Sequence, residues 1–198
     1  MRRDGLLLFT DARRPSVVGL VLGEPPKGSW FGHPAGAAIY HLGELLEASP
    51  QVVSVPLVAR KGTLVHRRLW GSLLGIGRSN APWQVAGLTA SERRLYDATE
   101  TAGRLCVDDA PALALRPRQT RGDLARSLER RLLVIGTSVH TSTGRHAKVL
   151  ESWTHWRARV RWRGHELTEP AGRKRIEETV ARALGESTAS TLPWRTQG

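Results

Sequence analysis

Sulfur is nearly missing from this sequence: Cys106 is its one cysteine and Met1 its one methionine. A disulfide framework is therefore excluded, and so is a zinc site built from several thiolates. Lysine is scarce too, with Lys27, Lys61, Lys148 and Lys174 the only four among 30 basic residues. Acidic residues number 18, so the formal net charge is +12. No apolar run approaches the ~20 residues that span a bilayer. Met1-Arg2-Arg3 followed by Leu6-Leu7-Leu8-Phe9 imitates an export signal, but Asp11, Arg13 and Arg14 interrupt it. The expectation is a cytoplasmic chain with a reduced Cys106 and no membrane contact.

What is present is enough for a folded core. The chain has 198 residues, 40% of them hydrophobic and 24% charged, which fits one ordinary domain or two small ones. Arginine supplies nearly all the positive charge, and its planar fork suits phosphate better than a lysine ammonium does. An arginine-favouring genome would give the same composition, so position has to decide. Between Arg116 and Gly164, twelve basic residues face only Asp123, Glu129 and Glu151. Such a local stripe is the electrostatic footprint of nucleic-acid binding.

The pattern predicts a mixed α/β chain of the α+β kind. Leu6–Phe9 and Ser16–Leu22 suit buried strands, short helices being the alternative for both. A helix is expected from Pro34 to Ser49, a strand over Val52–Ala59, and a turn at Lys61-Gly62. Leu69, Leu73 and Ile76 mark another helix, and Pro82-Trp83 a connector. Thr89 and Glu92 form a capping-box pair ahead of a helix that Gly103 ends. A short second helix, capped by Asp108 or Asp109, runs through Leu113 and Leu115. A third opens at Thr120 with Asp123, and Leu124, Leu128 and Leu132 form its buried stripe. A hairpin follows: Leu133–His140, a turn at Thr141–Arg145, and a return strand from His146.

Helix, short helix, helix, hairpin is the winged-helix order, and residues 88–153 resemble a winged-helix domain. The resemblance implies a third helix in the major groove and a wing on the backbone. It would place Arg118, Arg121, Arg126 and Arg130 on or near the recognition helix. Arg145, His146 and Lys148 would lie on the wing. Lys61-Gly62-Thr63-Leu64-Val65-His66 faintly resembles a stretch in winged-helix proteins of the alkylpurine DNA glycosylase type. That family's glutamine-containing signature is not recognisable, so no catalytic residue is carried over. Three parts result: 1–87 as a mixed α/β part, 88–153 as the winged helix, and 154–198 as a basic extension. The extension holds an amphipathic helix over 171–184, which packs back or meets a second copy, and a loose polar tail with Leu192-Pro193-Trp194 as an anchor.

Other constellations are thinner. His33, Lys61, His66, Arg67 and Arg68 outline a second anion or substrate site in the first half, with Trp70 stacking or in the core. From Arg157 to Arg163 arginines alternate with Ala158, Val160 and Trp162. Period two predicts a half-buried strand with an arginine-lined face, a helix bearing the tryptophans being the alternative. Arg157 and Arg159 join the DNA-binding candidates, and the tryptophans read mostly as core. His140, His146 and His155 have no carboxylate at ligand spacing, so no metal is expected. Cys106 reads as a small buried hydrophobe. No phosphate-binding loop or dinucleotide fingerprint occurs, so no cofactor is implied. The leading expectation is a duplex-DNA-binding protein. A base-excision type of repair enzyme, with its site near His33 and His66, is one alternative. A winged-helix module that binds an acidic protein is the other.

Overall fold

The computed structural model describes residues 4–140 and 146–196, and for His140 and His146 the backbone alone. The hairpin turn expected at Thr141–Arg145 lies outside the described residues. The fold is mixed α+β, as the sequence pattern predicts.

The first sheet is antiparallel with order β1-β3-β2, formed by β1 (Leu6–Leu8), β2 (Val52–Val58) and β3 (Lys61–His66). Its hairpin turns at Ala59 and Arg60, with φ of 50° and 59°. A two-residue turn that matches strand twist needs positive φ at both central residues. Lys61 and Gly62 therefore belong to β3 rather than to the turn expected there. The apolar run at 16–22 is a helix, α1 (Val17–Leu22), and not a strand. The Ser16 hydroxyl accepts from the Gly19 amide at 3.1 Å and Gly23 ends the helix at φ 75°. Caps at both ends outweigh the β-propensity of its valines. α2 (Gly36–Glu47) follows and buries Ile39. α3 (Trp70–Gly77) is buried throughout, and α4 (Pro82–Val85) makes the connector. A Cβ on Gly75 would stand 2.0 Å from the Leu167 carbonyl, so only glycine lets residues 165–167 lie against α3.

The second unit begins with α5 (Ala90–Ala102). Thr89 and Glu92 make the expected capping box, at 3.2 and 2.7 Å, and Gly103 ends the helix at φ 72°. β4 (Arg104–Cys106) leads into a 3-10 turn at Val107–Asp109. The helix expected through Leu113 and Leu115 does not form. Ala110 is extended before Pro111, and Pro111 and Pro117 have no amide to donate. α6 (Arg121–Arg130) has a second capping box, Thr120 with Asp123, at 2.8 and 3.1 Å. Bonds from the Thr120 hydroxyl and amide, then Arg126, lower the Asp123 pKa to about 2, so the cap stays ionised. Leu124, Leu128 and Leu132 are fully buried, Leu132 just past the helix end. β5 (Val134–His140) and β6 (His146–Ser152) pair from Val134↔Ser152 to His140↔His146. The second sheet has order β4-β6-β5.

The strand expected over Arg157–Arg163 does not form: the segment opens as a helix, α7 (Trp153–Arg159), capped by the Ser152 hydroxyl on the His155 amide at 3.2 Å, and beyond Val160 it is neither helix nor strand, with Arg161 at φ 50°. α8 (Glu169–Leu184) packs on α3 through Gly172, Ile176 and Val180. The tail is docked rather than loose. α9 (Glu186–Ala189) precedes Trp194, whose indole donates to Glu177 at 2.6 Å. Arg14 donates to buried Thr188 at 2.9 Å.

Two apolar cores result. One joins β1–β3 and α3 to Trp153, Trp156, Ile176, Val180 and Trp194, so residues beyond 153 share the N-terminal core. The other lies inside α5, α6, β5 and β6. They meet where Trp153 donates its indole N–H to the Leu132 carbonyl at 2.7 Å.

Candidate nucleic-acid interface

β2 and β5 are edge strands of their sheets, and they face one another across a cleft of about 640 Å³. α6 and α7 close its other sides. Along β2, Val53, Val55 and Leu57 are buried in the core while Val52, Ser54 and Pro56 are half-buried. Thr137 and Ser138 line the cleft from β5 and are exposed. Six cations surround it: Arg60, Arg126, Arg130, Lys148, Arg159 and Arg161. A second hollow of about 470 Å³ shares Arg60, Arg126 and Arg130, and Pro193 and Thr196 of the tail border it.

These cations fall into two kinds. Lys148 and Arg159 are held by buried carboxylates. The Lys148 ammonium stands 2.8 Å from Glu129, which is 7% exposed. Gly136 makes room for that pair, since a Cβ there would lie 2.0 Å from the Glu129 carboxylate. Arg159 makes two bonds of 2.7 Å to Glu151, and His155 meets the same carboxylate at 2.7 Å. The others reach outward. Arg60, Arg130 and Arg161 are exposed and have no hydrogen-bond or carboxylate partner among the described residues. Arg126 is exposed and pairs with Asp123. Such an arrangement concentrates positive potential in a concave, partly apolar space, where anions gain most.

No protein-family model matches this chain, and neither the curated proteins nor the solved structures hold a match to it.

The expected site residues divide by their partners. Arg126, Arg130, Lys148 and Arg159 come together at the cleft. Arg121 does not. Its guanidinium donates to the carbonyls of Val107, Asp108 and Ala110, at 3.1, 2.6 and 3.3 Å, and so fastens the turn before α6. Arg118 is exposed at φ 64° on the approach to α6, away from the cleft lining. Arg157 pairs with Glu166 at 3.0 Å and lies over Trp162. Arg145 and the His146 side chain lie outside the described residues.

The second set does not converge. Lys61 binds buried Asp11 at 2.8 Å. His66 stands at the other end of β3, roughly 16 Å away at strand rise. There its ring accepts from the Arg68 amide at 3.4 Å, while Arg67 reaches Gln51 at 3.4 Å. His33 is exposed and accepts from the Ala35 amide at 3.1 Å. Trp70 belongs to the core, edge-on to Trp156 with ring centroids 4.7 Å apart. Cys106 is half-buried. Among the described residues no group of three or more His, Cys, Asp or Glu could hold a metal. Sequence reasoning missed Arg60, which sits at a hairpin tip that only the left-handed Ala59-Arg60 turn reveals. Arg161 fell within the basic stripe but was not singled out.

Glu151 links interface and stability. Burial alone would raise its pKa. The bonds from Arg159 and His155 outweigh burial and hold it below its ordinary 4.5. A carboxylate depressed in the folded state adds stability above its unfolded pKa and loses it as pH falls through the folded value. Thermal unfolding followed from pH 7 downward is expected to show a decline beginning below about pH 4.5. Glu151→Gln is expected to flatten that decline while lowering stability at pH 7.

Proposed function

We propose that this protein binds DNA through its arginine-lined cleft, with residues 88–153 forming a winged-helix unit. The first and third helices, the hairpin and the sheet order β4-β6-β5 support the winged-helix reading, while a 3-10 turn at Val107–Asp109 stands where that order has its second helix. The observation that carries the DNA-binding reading is convergence. Arg60 from the first sheet, Arg126 and Arg130 from α6, and Arg161 from beyond α7 all border one concave region. Among the described residues only Glu47 and Glu129 line it as carboxylates, and Glu129 is already engaged by Lys148. Exposed guanidinium groups on one face, of which Arg126 alone is paired with a carboxylate among the described residues, suit the regularly spaced phosphates of a nucleic acid, each contact releasing condensed counterions. The protein acts in the cytoplasm in this reading, and no helix among the described residues is long and apolar enough to cross a membrane.

The test is fluorescence anisotropy of a labelled oligonucleotide titrated with the protein at low salt. The expected result is binding at about micromolar concentration or tighter, weakening as salt is added. Absence of binding at low salt would contradict the proposal. Capture of an acidic protein without DNA affinity would replace it with the interaction-module reading.

A further inference from the structure

We infer that the cleft takes a single nucleic-acid strand rather than a duplex. This rests on the DNA-binding reading and specifies its ligand. A reading helix must enter the major groove, which is about 12 Å wide, and a helix with its side chains is itself about 10–12 Å across. No neighbour can then stand beside its outward face. α6 has neighbours on more than one side. β2 packs against it, and the exposed Arg126 and Arg130 face the cleft whose opposite wall is β2. Arg60 at the hairpin tip and Pro193 and Thr196 of the tail share the adjoining hollow with the same two arginines. The outward face of α6 is the wall of a trough, and a duplex can only ride on the rim.

A single strand meets none of these obstacles. The cleft, at about 640 Å³, has the size of a small-ligand site, so it seats a short stretch of a strand while the remainder runs along the arginine rim. Its walls carry groups that a strand can use. β2 and β5 are both edge strands, and residues of each line the cleft. Ser54, Thr137 and Ser138 add hydroxyls. Lys148 and Arg159 are held in position by Glu129 and Glu151 and still have donors to spare, since an ammonium carries three and a guanidinium five. Cations fixed before binding cost less ordering entropy when a phosphate arrives. Arg60, Arg130 and Arg161, without a carboxylate partner among the described residues, supply the electrostatic attraction along the strand.

The experiment compares a labelled single strand of about 15 nucleotides with the same sequence as a duplex, by anisotropy at fixed salt. Thr137→Leu narrows the cleft from an exposed position on an edge strand without adding an aromatic face on which a base could stack, and thermal melting checks that it folds. Ser138→Leu, also exposed on β5, is the second variant. The single strand is expected to bind about tenfold or more tightly than the duplex, a difference of about 1.4 kcal/mol. Either leucine is expected to remove about tenfold of the single-strand affinity while changing duplex binding by less than about twofold. Duplex binding as tight as single-strand binding would overturn the inference and leave the DNA-binding reading in place. So would leucine variants that bind the single strand as the parent does. Failure of both oligonucleotides to bind would overturn both.

Discussion

Replacing Arg126 and Arg130 together with alanine is expected to weaken DNA binding by about 25- to 60-fold at 0.1 M salt, with little change in stability. Each phosphate contact released contributes about −0.9 to the slope of log affinity against log salt on a duplex and about −0.7 on a single strand. Losing two contacts therefore makes the slope shallower by about 1.4–1.8, which at 0.1 M corresponds to about five- to eightfold per contact. Stability is spared because both side chains are exposed on α6 while Leu124 and Leu128 make its core contacts. Arg126 does pair with Asp123, but exposed pairs one turn apart contribute only about 0.3–0.5 kcal/mol. The measurement is anisotropy for affinity and urea unfolding for stability. Arg121→Ala is the informative contrast. Its guanidinium is spent on three carbonyls, so it should lower stability and leave the salt slope alone.

Trp153→Ala is expected to cost about 3–5 kcal/mol and to lower the melting temperature by about 10 °C or more. The side chain is 1% exposed and contacts Gly77 so closely that any Cβ there would strike the indole. It stands edge-on to Trp156 at 5.7 Å, in the core that β1–β3 share with α8. Its indole N–H binds the Leu132 carbonyl at the junction of the two cores. Truncation leaves a cavity and removes the shorter of two bonds to that buried carbonyl, to which the Gln84 side-chain amide still donates at 3.4 Å. Trp153→Phe separates these effects, since it retains most of the volume and loses the indole bond while Gln84 keeps the carbonyl partnered, at about 0.5–1.5 kcal/mol for the bond. Calorimetry of the three proteins reads both.

Much of the second unit was legible because its signals are local. Thr89 with Glu92, Thr120 with Asp123, and Gly103 are caps whose partners lie within four residues, so sequence spacing carries the geometry. The leucine stripe on α6 and the hairpin after it are periodic and equally local. The failures share a different cause. At 16–22 and 153–159 a serine cap opened a helix across residues whose β-branching or alternation suggested a strand. At 110–117 two prolines removed the amides that a helix would need. At Ala59-Arg60 two residues other than glycine adopted the left-handed conformation, which displaced the turn from Lys61-Gly62.

The interface was half legible for a related reason. Charge along the chain marks where arginines are dense, but not which are already engaged. Arg121 ends on backbone carbonyls eleven to fourteen residues earlier, and Arg157 on Glu166. Asp11 takes Lys61 from fifty residues away. Arg60 reaches α6 only because the first sheet packs its edge strand beside that helix. Long-range pairing thus sorts structural arginines from those left to meet a ligand, and composition alone has no access to it.

The most direct test of the account is the salt dependence of single-strand binding by the parent protein. Arg60, Arg126, Arg130 and Arg161 supply three to four phosphate contacts in this account. At about −0.7 per contact, log affinity against log salt should fall with a slope of roughly −2 to −3. A slope near zero, or affinity that is unchanged between low and physiological salt, would contradict it.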